Sequence, residues 1–310
     1  MISVVIPIYN EELLLDELVK RTVSAIESFI SDYEVIFVDD GSTDTSLSKL
    51  LSFRKENPRI KLLSLSRNFG HQAAFTAGLE YAKGDIVAMM DGDLQDPPEL
   101  LAEMHKKIRG EGYDIINGRK TGRKGQKSRN FYIFLFHILF RRIAEIENIS
   151  NAGNFSMMTR DAVDALLLMK EKTRYLPGLR SFIGFRQGFV DFIRDDRFDG
   201  EPKMNMGKLL RLAGDAIFAF SRFPIRFCLY LGLIGVVIFM VAGIYVLLAK
   251  AMHFAVPGWP STLLSIYFIG SIQLVFLGII GEYIYRNYKE SQNRPLYFVK
   301  KFYSASTANK

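Results

Sequence analysis

A chain of 310 residues with a 49% hydrophobic fraction has ample material for one large or two modest domains. Its net charge of +7 admits a nucleic acid or an anionic membrane surface as partner, and the placement of the charges, described below, removes the need for the first. The single cysteine, Cys228, excludes an intrachain disulfide and suits a reducing compartment.

Residues 2–7, Ile2-Ser3-Val4-Val5-Ile6-Pro7, read as a short β-branched strand that stops at proline; without a basic leader they are a first strand and not a signal peptide. Tyr9, Asn10, Glu11 and Glu12 follow, and then a helix with Leu14, Leu15, Leu18, Thr22 and Ile26 near a 3.6 period. A second strand, 33–38, ends in Asp39-Asp40-Gly41-Ser42-Thr43-Asp44, where Ser42 or Thr43 is placed to cap a helix running toward Lys55. Asp44 reads as a turn residue, Asp40 as a site residue. A third strand, 60–65, leads through Ser66-Arg67-Asn68-Phe69-Gly70-His71 into a helix ending near Tyr81; a fourth covers 86–90 and a fifth begins at 114–117. Strands alternating with helices imply a mostly parallel sheet covered on both faces, with ligands at the carboxyl ends of its strands. Those ends carry Tyr9, Glu11, Asp39, Asp40, Asp91 and Asp93. No Gly-x-Gly-x-x-Gly follows the first strand and no Gly-Lys-Ser/Thr phosphate loop occurs, which disfavours dinucleotide oxidoreductases and phosphate-loop ATPases.

The fourth strand runs into Asp91-Gly92-Asp93-Leu94-Gln95-Asp96-Pro97-Pro98. Residues i and i+2 of a strand share a face, so Asp91 and Asp93 can aim at one point, with Gly92 leaving the backbone open between them and Gln95 able to add a carbonyl oxygen. Such a pair fits a hard divalent cation, Mg²⁺ or Mn²⁺, bridging to a diphosphate; as an isolated motif it is weak and more often a solvated turn. Acids crowded on one sheet edge would repel a bare diphosphate, and a cation between them resolves the conflict.

From 119 to 129 the chain is basic and then turns aromatic over 131–140 before Arg141-Arg142. This apolar stretch is too short to span a bilayer; it fits a helix lying in the interface or a core helix beside a flexible loop. Residues 209–223 form a second interfacial candidate. Between them come Asn151 to Met158, a helix starting at Arg160 or Asp161, and a charged, turn-rich loop at 194–204. Residues 227–249 and 259–281 carry no charge, and as helices each would be about 35 Å long, enough to cross a bilayer. Lys203, Lys208, Arg211, Arg222 and Arg226 precede the first stretch, Arg286, Lys289, Arg294, Lys300 and Lys301 follow the second, and only Lys250 and His253 lie between. That asymmetry predicts a membrane hairpin with both termini cytoplasmic and accounts for the basic excess without nucleic acid. Glu282, at the inner end of the second stretch, is costly to bury and calls for a basic partner.

In this order, Val5-Ile6-Pro7-Ile8-Tyr9-Asn10-Glu11-Glu12, Val38-Asp39-Asp40-Gly41-Ser42, Ser66-Arg67-Asn68-Phe69-Gly70, Asp91-Gly92-Asp93-Leu94-Gln95-Asp96-Pro97-Pro98, Arg197-x-x-Gly200-x-x-Lys203, Gly278-x-x-Gly281-Glu282-Tyr283-Ile284 and Arg294-Pro295 resemble the family 2 glycosyltransferases of GT-A fold. The similarity is to the membrane-bound polyprenyl-phosphate enzymes, among them bacterial undecaprenyl-phosphate glucosyltransferases and, more distantly, dolichyl-phosphate mannose synthase. The resemblance implies an α/β, Rossmann-like GT-A domain at 1–205, a juxtamembrane helix at 206–225, a two-helix transmembrane hairpin at 226–284 and a cytoplasmic tail at 285–310. It implies a nucleoside held by Pro7, Tyr9, Glu11, Asp40 and Gly92, Mg²⁺ or Mn²⁺ and diphosphate held by Asp91, Asp93 and Gln95, and phosphates of donor or lipid gripped by Arg119, Arg129, Arg197 and Lys203. A homo-oligomer, favoured as a tetramer, in the cytoplasmic membrane is implied as well. The expected reaction is inverting transfer of one sugar, from UDP-glucose or another UDP-hexose, to a polyprenyl phosphate; the alternatives are a GDP-mannose donor, a processive polysaccharide synthase, or a non-catalytic membrane partner. Asn154 stands where many relatives carry an aspartate, and His71 where related glucosyltransferases carry a lysine. A neutral amide takes no proton, so Asn154 is expected to position the acceptor, whose phosphate is already anionic. Deletion of 225–310 is expected to spare nucleotide binding.

Overall fold

The computed structural model describes residues 1–121, 152–172, 174–192 and 258–304, together with scattered positions between Cys228 and Leu248. The expectations for 131–142, 194–204 and 209–223, and for Arg129, Arg197 and Lys203, lie outside the described residues. Two units divide the chain. One comprises 1–133, 146–203 and 295–310, the other 134–145 and 204–294.

The first unit is built on strands β1 (Ile2–Ile8), β2 (Tyr33–Asp39), β3 (Ile60–Leu65), β4 (Ile86–Met89), β5 (Ile115–Lys120), β6 (Ala152–Thr159), β7 (Gln187–Phe192) and β8 (Val299–Tyr303). They form one sheet in the order β7-β5-β6-β4-β1-β2-β3-β8. The centre, β4-β1-β2-β3, is wholly parallel, whereas β6 runs antiparallel to both β4 and β5, and β8 antiparallel to β3. The mostly parallel α/β sheet expected from the sequence is thus present. Every residue of β1 and β2 is buried, as befits mainly apolar strands covered on both faces.

Helices α1 (Leu15–Glu27), α2 (Ser46–Glu56) and α3 (His71–Tyr81) make the crossovers. In α1 the buried positions Leu15, Leu18, Val19, Thr22 and Ile26 follow the predicted stripe. A Cβ on Gly78 of α3 would collide with Val5 and reach 3.0 Å from Val38, so this glycine lets α3 lie close on the central strands. As a crossover helix, α3 begins at the carboxyl edge of the sheet, which brings His71 there. Helices α4 (Leu101–Glu111), α5 (Arg160–Leu168) and α6 (Leu176–Phe182) complete the unit.

Four expectations need correction. β1 continues through Pro7 to Ile8: Val5 accepts from Met90 on the β4 side, so the missing N–H of Pro7 faces the same side, past the last paired residue of β4, Met89. Neither Ser42 nor Thr43 caps α2, which starts at Ser46; Asp44 Oδ1 accepts from the Ser46 amide, and Ser42 Oγ is occupied by the Asn10 amide. β6, α6 and β7 had no sequence assignment, because Gly153, Asn154 and Ser156 dilute the β signal of the first and the other two are short. The tail is not a tail. Its residues 285–291 extend a helix, and 299–303 form edge strand β8, with Arg54 donating to the carbonyls of Tyr303 (3.2 Å) and Ser304 (2.5 Å). Deleting 225–310 would therefore strip a strand from the sheet that carries the site.

In the second unit, helix α7 (Trp259–Ser291) includes Phe268–Ser291, a segment long and apolar enough to cross a membrane and unburied within the chain. Every described position between Cys228 and Leu248 is also helical. Glu282 has its basic partner one turn on, Arg286, at 2.8 Å.

At the amino edge of the sheet, buried Glu34 accepts from Ser3 Oγ (2.6 Å) and the Lys83 amide (2.7 Å) and pairs with Lys61. Burial pulls its carboxyl pKa up, and the bonds from Lys61, Ser3 and Lys83 outweigh it, leaving the value below the usual 4.5. Glu34→Ala strands these donors, and we expect it to lower unfolding stability at pH 7 by about 3–5 kcal/mol in chemical denaturation of the detergent-solubilised chain. A depressed folded pKa places the charge-dependent share of that stability above pH 4.5, so the gap to wild type narrows as pH falls through the folded value.

Candidate active site

After β1 the chain winds outward to β2 and β3 and then returns to the other side of β1 as β4. This reversal opens a crevice between the carboxyl ends of β1 and β4, where parallel α/β sheets take ligands. The two ends nearly touch. A Cβ on Gly92 would lie 3.0 Å from the Pro7 carbonyl oxygen and 2.7 Å from Ile8 Cδ1, so the role of Gly92 here is close approach.

The loops after β1 and β2 are sewn together. Asn10, in the left-handed region at φ 54°, accepts from the Thr43 amide through Oδ1 (2.8 Å) and donates its own amide to Ser42 Oγ (3.1 Å), while the Glu11 amide donates to Ser46 Oγ (3.1 Å). Tyr9, just before them, is 42% exposed. Asp39 is structural, accepting from the Ser42 amide (3.0 Å) and Ser64 Oγ (3.1 Å). Asp40 is buried, and its two carboxylate oxygens take the amides of Phe69 (2.8 Å) and Gly70 (2.9 Å). Burial, with Asp39 adjacent, raises its pKa against these amides. Asp40 thus fixes the loop that delivers His71. Gly41, at φ 73°, permits the contact, since a Cβ there would stand 2.6 Å from the backbone of Arg67.

Asp91, Asp93 and Gln95 lie in one turn beyond the end of β4 at Met89, so a turn and not the alternation of a strand brings them together. Leu94 adopts φ 58° at its apex and the Gln95 amide donates to Asp93 Oδ1 (3.2 Å). Asp91 Oδ1 lies 3.1 Å from His71 Nε2, outside hydrogen-bond alignment, and both it and Gln95 Oε1 are buried acceptors without a donor. Two orphaned oxygens on one turn are what a hard cation requires. Among the described residues no three His, Cys, Asp or Glu side chains converge as a complete cage, so a cation here would draw its other ligands from phosphate oxygens or water.

The sequence pattern undervalued Asp96. It is buried, accepts from the Asp91 amide (3.3 Å) and faces Lys120 Nζ at 3.8 Å. Burial and the charges of Asp91 and Asp93 push its pKa up to about 7 against Lys120. Burial likewise raises that of Asp91, but His71 and Lys120 outweigh it and the net shift is downward. For His71, burial is outweighed by Asp91 and Asp93, and the imidazole pKa rises.

On the far wall, Asn154 Oδ1 accepts from Gln72 Nε2 (3.2 Å) and its Nδ2 lies 3.4 Å from His71 Nδ1. Gln72 Oε1 in turn accepts from the Leu176 amide (3.0 Å). Arg119 is not brought to this cluster. It pairs with Asp191 through Nε (2.6 Å) and Nη2 (2.8 Å) and stacks over Phe189 at 5.0 Å. Side chains alternate along β5, so the cation turned toward Asp96 is the next residue, Lys120.

Residues 3–167 match the family described as Glycosyl transferase family 2. The chain belongs to this family. It is similar to an uncharacterized glycosyltransferase of Synechocystis sp., 41% identical over 300 residues covering 96% of this chain and 94% of that protein. The prophage bactoprenol glucosyl transferase homolog of Escherichia coli is 35% identical over 304 residues, covering 97% and 98%. Among solved structures, glucosyl-3-phosphoglycerate synthase from Mycobacterium tuberculosis in complex with uridine-diphosphate is 21% identical, with a TM-score of 0.49 over 71% of this chain and 78% of that one. The sheet described above thus carries the region that matches the family 2 glycosyltransferases.

The approach of the two strand ends is testable through Gly92. In this glycosyltransferase Gly92→Ala forces its methyl against the Pro7 carbonyl and Ile8, and we expect a stability loss of about 1–3 kcal/mol by chemical denaturation.

Proposed function

We propose that this glycosyltransferase moves one hexose from a nucleotide sugar, UDP-glucose first among candidates, to a polyprenyl phosphate at the cytoplasmic face of a membrane. The observation that carries the reading is the pair of unsatisfied oxygens, Asp91 Oδ1 and Gln95 Oε1, at the mouth of the strand crevice. Relatives named bactoprenol glucosyl transferase, 34% identical and matched over 97% of both chains, support the lipid acceptor.

The loops after β1 and β2, with Tyr9, Glu11 and the Asp40-anchored segment, line the nucleoside end. Asp91, Asp93 and Gln95 would hold Mg²⁺ or Mn²⁺, which when bound supplies Lewis-acid stabilisation of charge on the departing diphosphate. Lys120, 3.8 Å from Asp96, is the β5 cation that faces that turn and takes the role expected of Arg119, neutralising phosphate charge. A phosphate oxygen of the lipid forms the new bond at the anomeric carbon while the bond to the diphosphate oxygen breaks on the opposite face, its electron pair leaving with the nucleotide. Configuration inverts. No proton need leave the attacking phosphate, so Asn154 serves by holding the acceptor and not by taking a proton. Helix α7, paired with the helical stretch before it, anchors the domain where a polyprenyl chain resides.

Transfer of radiolabel from UDP-glucose to an organic-soluble lipid tests the reading: a monosaccharide lipid is expected, and polymer or no product overturns it. In the same assay Asp93→Asn should lose roughly a thousandfold in rate with Mn²⁺ supplied. Lys120→Ala should lose about a hundredfold, whereas Arg119→Ala should lose less than tenfold; the reverse order would mean that the strand register is not what sets the phosphate contact.

A further inference from the structure

Arg180 on α6 is only 1% exposed. Buried arginines are ordinarily matched by a carboxylate, because the desolvation of an isolated charge costs several kcal/mol. Among the described residues none lies within ion-pair distance of Arg180. Its donors go to neutral oxygens: the carbonyls of Gly153 (2.5 Å) and Asn154 (2.9 Å), and Ser156 Oγ. Its Nε has no partner, while its own carbonyl accepts from Gln187 Nε2 (2.8 Å). Burial lowers its pKa to about 10, which leaves it cationic at neutral pH.

The acceptors lie where the sheet is irregular. Asn117 of β5 stands opposite Ser156, but Arg119 stands opposite Ala152, so residues 153–155 face Gly118 alone. This bulge takes the carbonyls of Gly153 and Asn154 out of the regular β5 ladder, and bulges re-aim the side chains they carry. The side chain re-aimed here is Asn154, whose amide meets Gln72 and His71 beside Asp91. The planar guanidinium spans both carbonyls flanking that residue, and Ser156 Oγ adds a bond of 3.0 Å to the Asn154 carbonyl.

We propose that Arg180 is a positioning residue for sugar transfer: its guanidinium clamps the β6 bulge so that the Asn154 amide is held toward the acceptor phosphate. This rests on the transfer reading above, in which Asn154 contacts the acceptor. The clamp acts through Asn154 and leaves the nucleotide end alone, which separates it from a general contribution to stability.

The test is a double-mutant cycle in the full-length, detergent-solubilised protein, with UDP-glucose and a polyprenyl phosphate. Arg180→Lys keeps the charge but cannot span the three acceptors. It should lower kcat about thirtyfold while UDP affinity with Mn²⁺, read by calorimetry, stays within twofold. In an Asn154→Ala background the same change should cost less than threefold; an equal loss in both backgrounds, or a matching loss of UDP affinity, overturns the proposal. Deuterium exchange needs no substrate: Arg180→Lys should speed exchange over 152–159 without speeding it in β1, and unchanged exchange also overturns the clamp. Should Arg180→Lys fail to fold, Ser156→Ala carries the same predictions. A wild-type protein that binds UDP and transfers nothing sinks the transfer reading alone, because the exchange result still decides whether Arg180 holds the bulge.

Discussion

The backbone contact between Gly92 and the end of β1 is the constraint from which the site follows. With a side chain at 92 the β4 end could not close on the Pro7 carbonyl, and the turn bearing Asp91, Asp93 and Gln95 would move away from the loops that carry Tyr9 and Glu11. In the proposed reaction nucleoside and diphosphate are parts of one molecule, so the walls that would meet them must keep a fixed separation. A parallel sheet supplies this at the point where its winding reverses, since both walls are ends of adjacent hydrogen-bonded strands. Gly41 does the same on the next strand, letting the β2 loop touch the segment before α3.

That closeness concentrates charge. Asp91, Asp93 and Asp96 share one turn, and three ionised carboxylates so near each other repel. The described residues relieve this from two sides, His71 from the start of α3 and Lys120 from the end of β5, and the elevated pKa of Asp96 removes part of the third charge. The relief is incomplete at Asp91 Oδ1 and Gln95 Oε1, which remain without donors. Two buried oxygens without hydrogen-bond partners on one turn are the observation on which the proposed cation rests.

What could be read in the sequence was local. Asp91, Asp93 and Gln95 fall within one turn, and spacing alone puts them together; likewise the strand and helix periods of the parallel core needed only a few neighbours. The direction of Arg119 depends on the register of β5, which is set by β6 and β7, two strands too mixed in composition to be seen beforehand. The same register turns Lys120 inward. Asp40 was expected to meet the nucleoside directly, yet the amides that occupy it come from a loop 29 and 30 residues later, and no local pattern records such a pairing. Arg180 escaped notice for the same reason: its partners lie 24 to 27 residues earlier, and only the bulge reveals them.

The proposed hairpin has a support independent of hydropathy. Residues before 204 and after 294 belong to one folded unit, in which β8 is hydrogen-bonded to β3. A chain that leaves a domain, enters a bilayer and returns to the same domain must cross an even number of times, because β3 and β8 share one side. If α7 spans, a second crossing has to lie within 134–145 or 204–258, and the uncharged stretch at 227–249 is the part of those ranges long enough. In such a hairpin the basic residues that flank the two stretches would share one side of the bilayer, as the charge asymmetry of the sequence predicts. The edge strand that follows α7 thereby returns the chain to the sheet that holds the acidic turn, which a free tail would not do.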